Sequence, residues 1–270
     1  MKVRMGLYEK AMPESFSFIE KLTLTKRVGF DYMEISIDET EKKLARIYDS
    51  VLSDEIAAAV RGTGVPIKTM CLSGHRKYPL GGEDPRSLEI MEKAIEFAGK
   101  LGIRIIQLAG YDVYYEKSDE NTVSRFAENL KKSVELAAAA GVMLGFETME
   151  TPFMNTVEKA MKYVRLIDSP YLTVYPDLGN VRNATEDYIG DIKSGKGSIC
   201  AAHLKETKPG VFRDLEYGQG RVDFDGCIKE LLGQGVGMYT CEFWYDGKTD
   251  PEEYVRRNKA YVDKIFARYR

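Results

Sequence analysis

The run VMLGFE (Val142–Glu147) is the first of four short apolar segments that each end in a residue able to bind a divalent metal. The others are LTVYPD ending at Asp177, ICAAH ending at His203 and MYTCE ending at Glu242. The four terminal residues stand 30, 26 and 39 positions apart, close to the length of one strand-plus-helix unit. This spacing predicts that they lie at the same ends of neighbouring parallel strands, where a (β/α)8 barrel carries its chemistry.

The rest of the chain supports the same fold. Short apolar segments alternate with helix-period segments eight times, glycines mark the helix-to-strand joints, and no Pro/Ser-rich linker interrupts the pattern. We therefore predict an α/β fold, a single (β/α)8 TIM barrel, with one domain over residues 1–270. The predicted strands are Val3–Tyr8, Tyr32–Ile37, Ile67–Ser73, Ile103–Ala109, Val142–Thr148, Leu172–Asp177, Ile199–Lys205 and Met238–Phe243, and the predicted helices cover about 14–28, 52–62, 86–101, 119–140, 155–167, 184–194, 224–233 and 251–268.

Charge and cysteine content argue against several classes of protein. The net charge is −3 with both signs mixed along the chain, and there is no basic stripe, so neither nucleic acid nor an anionic membrane is an expected partner. The four cysteines lie in apolar stretches without CxxC spacing, as in a reduced cytoplasmic protein. The first residues lack the apolar region of a signal peptide, and no apolar run approaches the roughly 20 residues that span a bilayer.

Glu147, Asp177, His203 and Glu242 predict a site for one divalent metal ion. An isolated acidic residue at a strand end is usually a helix cap or a salt-bridge partner, but that reading does not explain four metal-binding residues in register. Ionised carboxylates at the mouth of an apolar barrel need a cation or hydrogen bonds to offset their lost solvation. Carboxylate oxygens with one imidazole nitrogen suit Mn²⁺, Zn²⁺, Mg²⁺ or Co²⁺.

Two basic loops on the predicted catalytic face are candidates for binding a phosphate monoester. The loop after the third predicted strand carries His75, Arg76 and Lys77, and the loop after the seventh carries Lys205, Lys208 and Arg213. A sugar bound to the metal over strands 5 to 8 would project its far end towards strands 3 and 4, which favours His75 and Arg76 for the phosphate. The seventh loop would then hold the oxygens near the metal. A solvated basic loop tip is the alternative reading for His75 and its neighbours.

Four polar residues inside or beside apolar runs have two open interpretations. Each is either a group that orients a metal ligand through a hydrogen bond or a direct substrate ligand. These residues are Glu9, Glu34, Gln107 and Asn180. Trp244 is a candidate for a pocket wall, and the tyrosines of YDVYY (Tyr111–Tyr115) are candidates for a lid.

With these motifs in place, the chain resembles the sugar-phosphate epimerases of the xylose isomerase-like barrel superfamily, and most closely the L-ribulose-5-phosphate (L-xylulose-5-phosphate) 3-epimerases. The resemblance covers almost the whole chain and is carried by GLYEKAMP, GFDYMEISIDET, MCLSGHRKYPLG, GIRIIQLAGYDVYY, YPDLGN, HLKETKPGVF and GQGRVDF. It implies that the metal ligands are Glu147 in FET, Asp177 in PDLGN, His203 in AHLK and Glu242 in CEFW. It also implies a cytoplasmic isomerase of carbohydrate metabolism, in L-ascorbate degradation, that takes a sugar phosphate and pairs as a homodimer.

Epimerisation at C3 of a ketose explains the need for two glutamates. Inverting a carbon next to a ketone requires removal of its proton, an enediolate, and return of a proton to the opposite face. Glu147 and Glu242, on strands 5 and 8, would approach from opposite sides as base and acid and interconvert L-xylulose 5-phosphate and L-ribulose 5-phosphate. An aldose–ketose isomerase, a 3-epimerase of another ketose and a non-catalytic sugar-binding barrel remain alternatives. A trinuclear-zinc endonuclease would need more than the two histidines of this chain.

Overall fold

The computed structural model describes residues 2–269, in which eight parallel strands form one sheet. The strands are β1 (Arg4–Tyr8), β2 (Tyr32–Ile37), β3 (Ile67–Leu72), β4 (Ile105–Ala109), β5 (Met143–Glu147), β6 (Leu172–Tyr175), β7 (Ala202–Leu204) and β8 (Met238–Cys241). They are ordered β6-β5-β4-β3-β2-β1-β8-β7, and isolated bridges from Val174 to Ile199 and from Asp177 to His203 connect the two ends. The predicted TIM barrel is therefore confirmed. Of the domain predicted over 1–270, Met1 and Arg270 lie outside the described residues.

Ten α-helices surround the described part of the barrel. They are α1 (Phe18–Val28), α2 (Glu41–Leu44), α3 (Ser50–Thr63), α4 (Arg86–Leu101), α5 (Glu120–Ala139), α6 (Val157–Ile167), α7 (Leu178–Ala184), α8 (Tyr188–Ser194), α9 (Phe224–Gly233) and α10 (Pro251–Phe266). The glycines predicted at the helix-to-strand joints all have positive φ, namely Gly29, Gly64, Gly102, Gly141 and Gly235. Between residues 2 and 269, none of the helices combines the length and the apolar character that crossing a membrane requires.

Every strand except β2 is shorter than predicted, and for β6 the reason concerns the candidate site. Pro176 has no N–H to donate to a ladder, although its carbonyl oxygen still accepts a hydrogen bond from His203 N at 2.9 Å. The next residue, Asp177, already caps helix α7, because its side chain accepts a hydrogen bond from Asn180 N at 2.7 Å. The strand therefore ends where a candidate metal ligand begins the following helix.

The helix predicted over 184–194 is present only in part, as α8, and the separate helix α7 before it was not predicted. Thr185 has φ −149° and ψ 147°, an extended conformation that ends α7. The side chain of Asp187 then accepts a hydrogen bond from Gly190 N at 3.0 Å and starts α8. The short helix α2, which Thr40 caps, was also not predicted, since four residues are too few to show a helical pattern.

A polar network fills the centre of the barrel below the candidate site. The hydroxyl groups of Tyr32 and Tyr175 lie 2.9 Å and 2.7 Å from Thr240 Oγ1, and Tyr175 also donates to Glu34 Oε2 at 3.0 Å. Gly6 makes room for this arrangement, since a Cβ there would lie 2.2 Å from the Tyr32 ring. These buried hydrogen bonds restrict the positions of the side chains above the network.

Candidate active site

The four predicted metal ligands come together at the carboxyl ends of neighbouring strands. Glu147 is the last residue of β5, Asp177 follows β6, His203 lies in β7, and Glu242 directly follows β8. One ligand atom from each lies within 4.8 Å of the others, and all four side chains are buried. Oxygen donors with one imidazole nitrogen at this separation suit a divalent cation.

The imidazole of His203 is held between Glu34 below and the other carboxylates above. His203 Nε2 lies 2.6 Å from Glu34 Oε1, whereas Nδ1 lies 3.2 Å from Glu147 Oε1 and 3.1 Å from Glu242 Oε2. Burial lowers the pKa of His203, but Glu34 and Glu242 raise it, so that it lies well above its ordinary value. When Nε2–H donates to Glu34, the Nδ1 lone pair points into the carboxylate group as a metal ligand requires.

The two carboxylate oxygens of Asp177 have different surroundings. While Oδ1 caps α7, Oδ2 lies 2.8 Å from Lys205 Nζ and accepts no hydrogen bond of normal geometry. Burial raises the pKa of Asp177 well above its ordinary value, although Lys205 opposes this rise. Glu242 Oε2 is likewise buried without a normal hydrogen bond. Such oxygens are costly unless they bind a cation, so the residues fit a metal ion.

The two candidate catalytic glutamates have different electrostatic surroundings. Burial raises the pKa of Glu147, and the neighbouring Glu242 adds to the rise. Burial acts in the same direction on Glu242, but His203 and Lys205 outweigh it and hold the pKa of Glu242 well below its usual range. Both carboxylates line the same pocket, so both can reach a molecule bound there.

A cavity of about 240 Å³ opens above these residues, large enough for a pentose derivative. We call it the substrate pocket. Besides the two glutamates and Lys205, its lining includes Arg76, Asn180, Arg213 and Trp244. A larger cavity of about 660 Å³ lies between α1 and α10 and contains none of the candidate ligands, so size alone does not identify the site.

Two predicted cations enter the substrate pocket with different partners. The Arg76 guanidinium lies 4.6 Å from the Tyr114 ring centroid and 3.8 Å from Glu39 Oε1, and its buried Nε has no hydrogen-bond partner. The Arg213 guanidinium lies 5.5 Å from the Trp244 ring centroid. Both are therefore placed to meet an anionic part of a ligand.

His75 and Glu9, predicted to contact substrate, do not enter the pocket. His75 is buried on the side facing α4, with Nε2 3.0 Å from Ser87 O, and burial lowers its pKa to about 4. Glu9 is fully buried, and its two oxygens already accept five hydrogen bonds from protein groups. The structure therefore places neither residue against the substrate pocket, because the His75 imidazole is buried against α4 and the Glu9 oxygens are already hydrogen-bonded.

The remaining predicted contacts differ in their access to the pocket. Lys208 lies outside the pocket lining, in a turn closed by its backbone hydrogen bonds with Val211. Asn180 lines the pocket; its Nδ2 donates to Thr148 O at 2.7 Å and its buried Oδ1 has no partner. Asn180 therefore keeps an acceptor for a substrate hydroxyl, whereas Lys208 would have to move.

Sequence reasoning missed several pocket residues on the first two strand-to-helix loops. Lys10 and Asp38 form an ion pair of 2.6 Å at the pocket edge, and Glu39 accepts a hydrogen bond from Tyr115 OH at 2.9 Å. Tyr114 OH donates to Glu150 Oε1 at 3.1 Å. The available signal was position. Lys10 stands two residues after the end of β1, and Asp38 and Glu39 stand one and two residues after the end of β2.

Comparison with known proteins agrees with the fold. The model of the xylose isomerase-like TIM barrel family matches residues 22–265. L-ribulose-5-phosphate 3-epimerase UlaE of Escherichia coli is 42% identical over 274 residues, covering 99% of this chain and 96% of that protein. In fold, the chain resembles the IOLI protein with a binding zinc atom (TM-score 0.81, 17% identity, 99% of each chain) and an L-ribulose 3-epimerase (TM-score 0.78, 19% identity, 97% and 94%). The chain therefore belongs to the L-ribulose-5-phosphate 3-epimerase family of xylose isomerase-like TIM barrels.

Proposed function

We propose that this protein is a metal-dependent isomerase that interconverts L-xylulose 5-phosphate and L-ribulose 5-phosphate by epimerisation at C3. One observation carries the proposal: two buried glutamates, Glu147 and Glu242, each place a carboxylate oxygen within 3.2 Å of His203 Nδ1 and line one pocket. The name of the 42% identical relative supports the choice of substrate. Sugar phosphates are the expected small-molecule partners.

The candidate ligands Glu147, Asp177, His203 and Glu242 would hold the metal. A divalent ion there supplies Lewis-acid stabilisation of negative charge on the ketose oxygens, and Mn²⁺, Zn²⁺, Mg²⁺ and Co²⁺ all accept this donor set. All four side chains are buried, which strengthens their charge interactions with a bound sugar relative to interactions in bulk water.

Proton transfer is the task of the two glutamates. One glutamate, as the carboxylate, removes the C3 proton from one face of the ketose, and the other, as the carboxylic acid, gives its proton to the opposite face of the enediolate. Reversal of the reaction exchanges their roles. Lys205, buried beside Asp177 and 3.8 Å from Glu242 Oε2, offers a positive charge to the C1 and C2 oxygens, and Asn180 Oδ1 accepts from a sugar hydroxyl.

Phosphate recognition by Arg76 completes the proposal. Arg76 belongs to the loop after β3, across the barrel mouth from the ligands on β5 to β8, and its fork of N–H groups suits a phosphate ester. Arg213 is the competing cation, on the loop after β7. A homodimer is the expected assembly, which light scattering of the purified protein would measure.

Solvent exchange tests the whole reaction. The metal-loaded protein is incubated with L-xylulose 5-phosphate in D₂O, and the sugar is followed by NMR. We expect deuterium at C3 alone, together with formation of L-ribulose 5-phosphate. Label at C1 or C2 with an aldose product would instead indicate an aldose–ketose isomerase, and no label at any carbon would indicate a binding protein.

A further inference from the structure

Glu9, which does not reach the substrate pocket, is surrounded by three buried cations. Lys21 Nζ and Lys43 Nζ lie 2.8 Å and 3.3 Å from Glu9 Oε1, and Arg46 Nη1 lies 2.8 Å from Glu9 Oε2. Arg46 also donates to Ser36 O at 3.1 Å, which fixes its position. One carboxylate therefore balances three positive charges inside the protein.

The neighbouring ion pair, Lys10–Asp38, does not offset the excess positive charge around Glu9. Lys10 and Asp38 neutralise each other, so the four cations and two carboxylates of this region retain two positive charges. Glu14, which also borders the cavity beside these groups, is exposed and pairs with the exposed Lys42. Two uncompensated positive charges are costly below the surface unless an anion joins them.

Two of the ammonium groups also have fewer hydrogen-bond acceptors than N–H donors. Lys21 is 2% exposed and Lys43 is 5% exposed, and an ammonium group has three N–H donors. Among residues 2–269, Glu9 Oε1 is the acceptor found for each of them, which leaves donors of both lysines unpaired. Burial lowers the pKa of Lys43, as expected for an incompletely compensated charge, although Glu9 opposes the shift.

These unpaired donors border a cavity of about 310 Å³, distinct from the substrate pocket, which we call the basic cavity. Lys21, Lys43 and Glu9 line it, and the Lys10–Asp38 ion pair lines both cavities and so stands between them. A phosphate dianion would neutralise the two excess charges and accept the free N–H groups. We propose that the basic cavity is a binding site for a phosphate group, with Lys21 and Lys43 as its charged contacts.

The occupant is either free phosphate or the ester group of a sugar phosphate that reaches past Lys10. The second source rests on the proposed function, whereas the first does not. Both sources present the same oxygens to Lys21 and Lys43, so the site is tested first with inorganic phosphate alone. Binding of inorganic phosphate can be measured, and interpreted, whether or not the protein is an epimerase.

The test compares Lys43→Gln with Lys42→Gln in the full-length, metal-loaded protein. Both changes remove one positive charge from α2, but Lys42 is exposed and Lys43 faces the basic cavity. Isothermal titration with inorganic phosphate is done in an Arg76→Ala background, so that the substrate pocket contributes little. Lys43→Gln is expected to weaken phosphate binding about tenfold or more, and Lys42→Gln less than about twofold.

Folding is not expected to obscure this comparison, because Lys21 and Arg46 still pair with Glu9 in the Lys43→Gln variant. Lys43→Arg, which retains the charge, should retain phosphate binding. If Lys43→Gln also raises KM for L-ribulose 5-phosphate, the occupant is the substrate ester; if KM stays unchanged, the occupant is free phosphate. Phosphate affinity that is equal in Lys43→Gln and Lys42→Gln would overturn the proposal.

Discussion

Glu34 Oε1 lies 2.6 Å from His203 Nε2, and both side chains are completely buried. The second oxygen of Glu34 accepts a hydrogen bond from Tyr175 OH at 3.0 Å, which anchors the carboxylate in the floor of the barrel. The pairing selects the tautomer of His203 in which Nδ1 is free to bind metal. We therefore propose that Glu34 is a positioning residue for the metal site, one of the two interpretations that the sequence left open.

Replacing Glu34 with glutamine should weaken metal binding by about 10- to 100-fold, because the imidazole loses its charged partner while the shape is retained. Competition with a chromophoric chelator measures the dissociation constant. Glu39→Gln is the matched control, since Glu39 lines the pocket without contacting His203. Equal metal affinity in the two variants would contradict the orienting role of Glu34.

Glu147→Gln and Glu242→Gln should each reduce epimerisation to less than about a hundredth of the wild-type rate, the usual effect of losing an acid or base. Amides of the same shape leave the packing intact, so circular dichroism should show a folded protein. Deuterium exchange at C3 is measured beside turnover, with metal content checked in each sample. A variant that keeps its metal and also turns over at the wild-type rate would disprove the assignment of that residue.

Removal of metal should abolish activity, since a divalent ion held by the three carboxylates and one imidazole of the site would carry most of the stabilisation of the enediolate charge, with Lys205 contributing less. Exhaustive chelation followed by metal analysis gives the apo protein. Adding back Mn²⁺, Zn²⁺, Mg²⁺ or Co²⁺ separately shows which ions restore the rate. Full turnover by protein shown to be free of metal would exclude the mechanism.

The sequence predicted the barrel and the convergence of the four candidate ligands, because both follow from periodic patterns. Apolar runs at a regular spacing determine which strand ends meet, and Glu147 and Glu242 are placed by that spacing alone. Helix α7 was not predicted, because the predicted sixth strand ran to Asp177, which in the structure already caps that helix.

The direction of side chains in the loops was not predictable in the same way. His75 and Arg76 are neighbours in one short turn, yet His75 packs against α4 while Arg76 enters the pocket. Glu9 likewise faces Lys21 and Arg46, which come from distant parts of the chain. A loop has no fixed period, so only tertiary contacts determine which side chains face a ligand.

His75 should make the protein less stable as the pH falls from about 6.5 to about 4. Its pKa is lowered to about 4 by burial, whereas an unfolded histidine has a value near 6.5, so the unfolded state binds more protons in this window. The loss should approach about 3 kcal/mol in the free energy of unfolding. Urea unfolding at several pH values measures it, and His75→Gln should lack this part of the pH dependence. Identical pH profiles would show that His75 is not a buried neutral group.

Arg76→Ala should raise KM for L-ribulose 5-phosphate about tenfold or more, because a charge-assisted contact to phosphate is lost, and should affect the free ketose much less. Arg86→Ala is the matched control, since Arg86 also stacks on a tyrosine, 4.2 Å from the Tyr78 ring centroid, but lies outside the pocket. Steady-state kinetics on both sugars measure the difference. If Arg213→Ala shows the phosphate-selective loss and Arg76→Ala does not, the sugar lies the other way round, with its phosphate over the loop after β7. That outcome would leave the roles of the metal and the two glutamates unchanged.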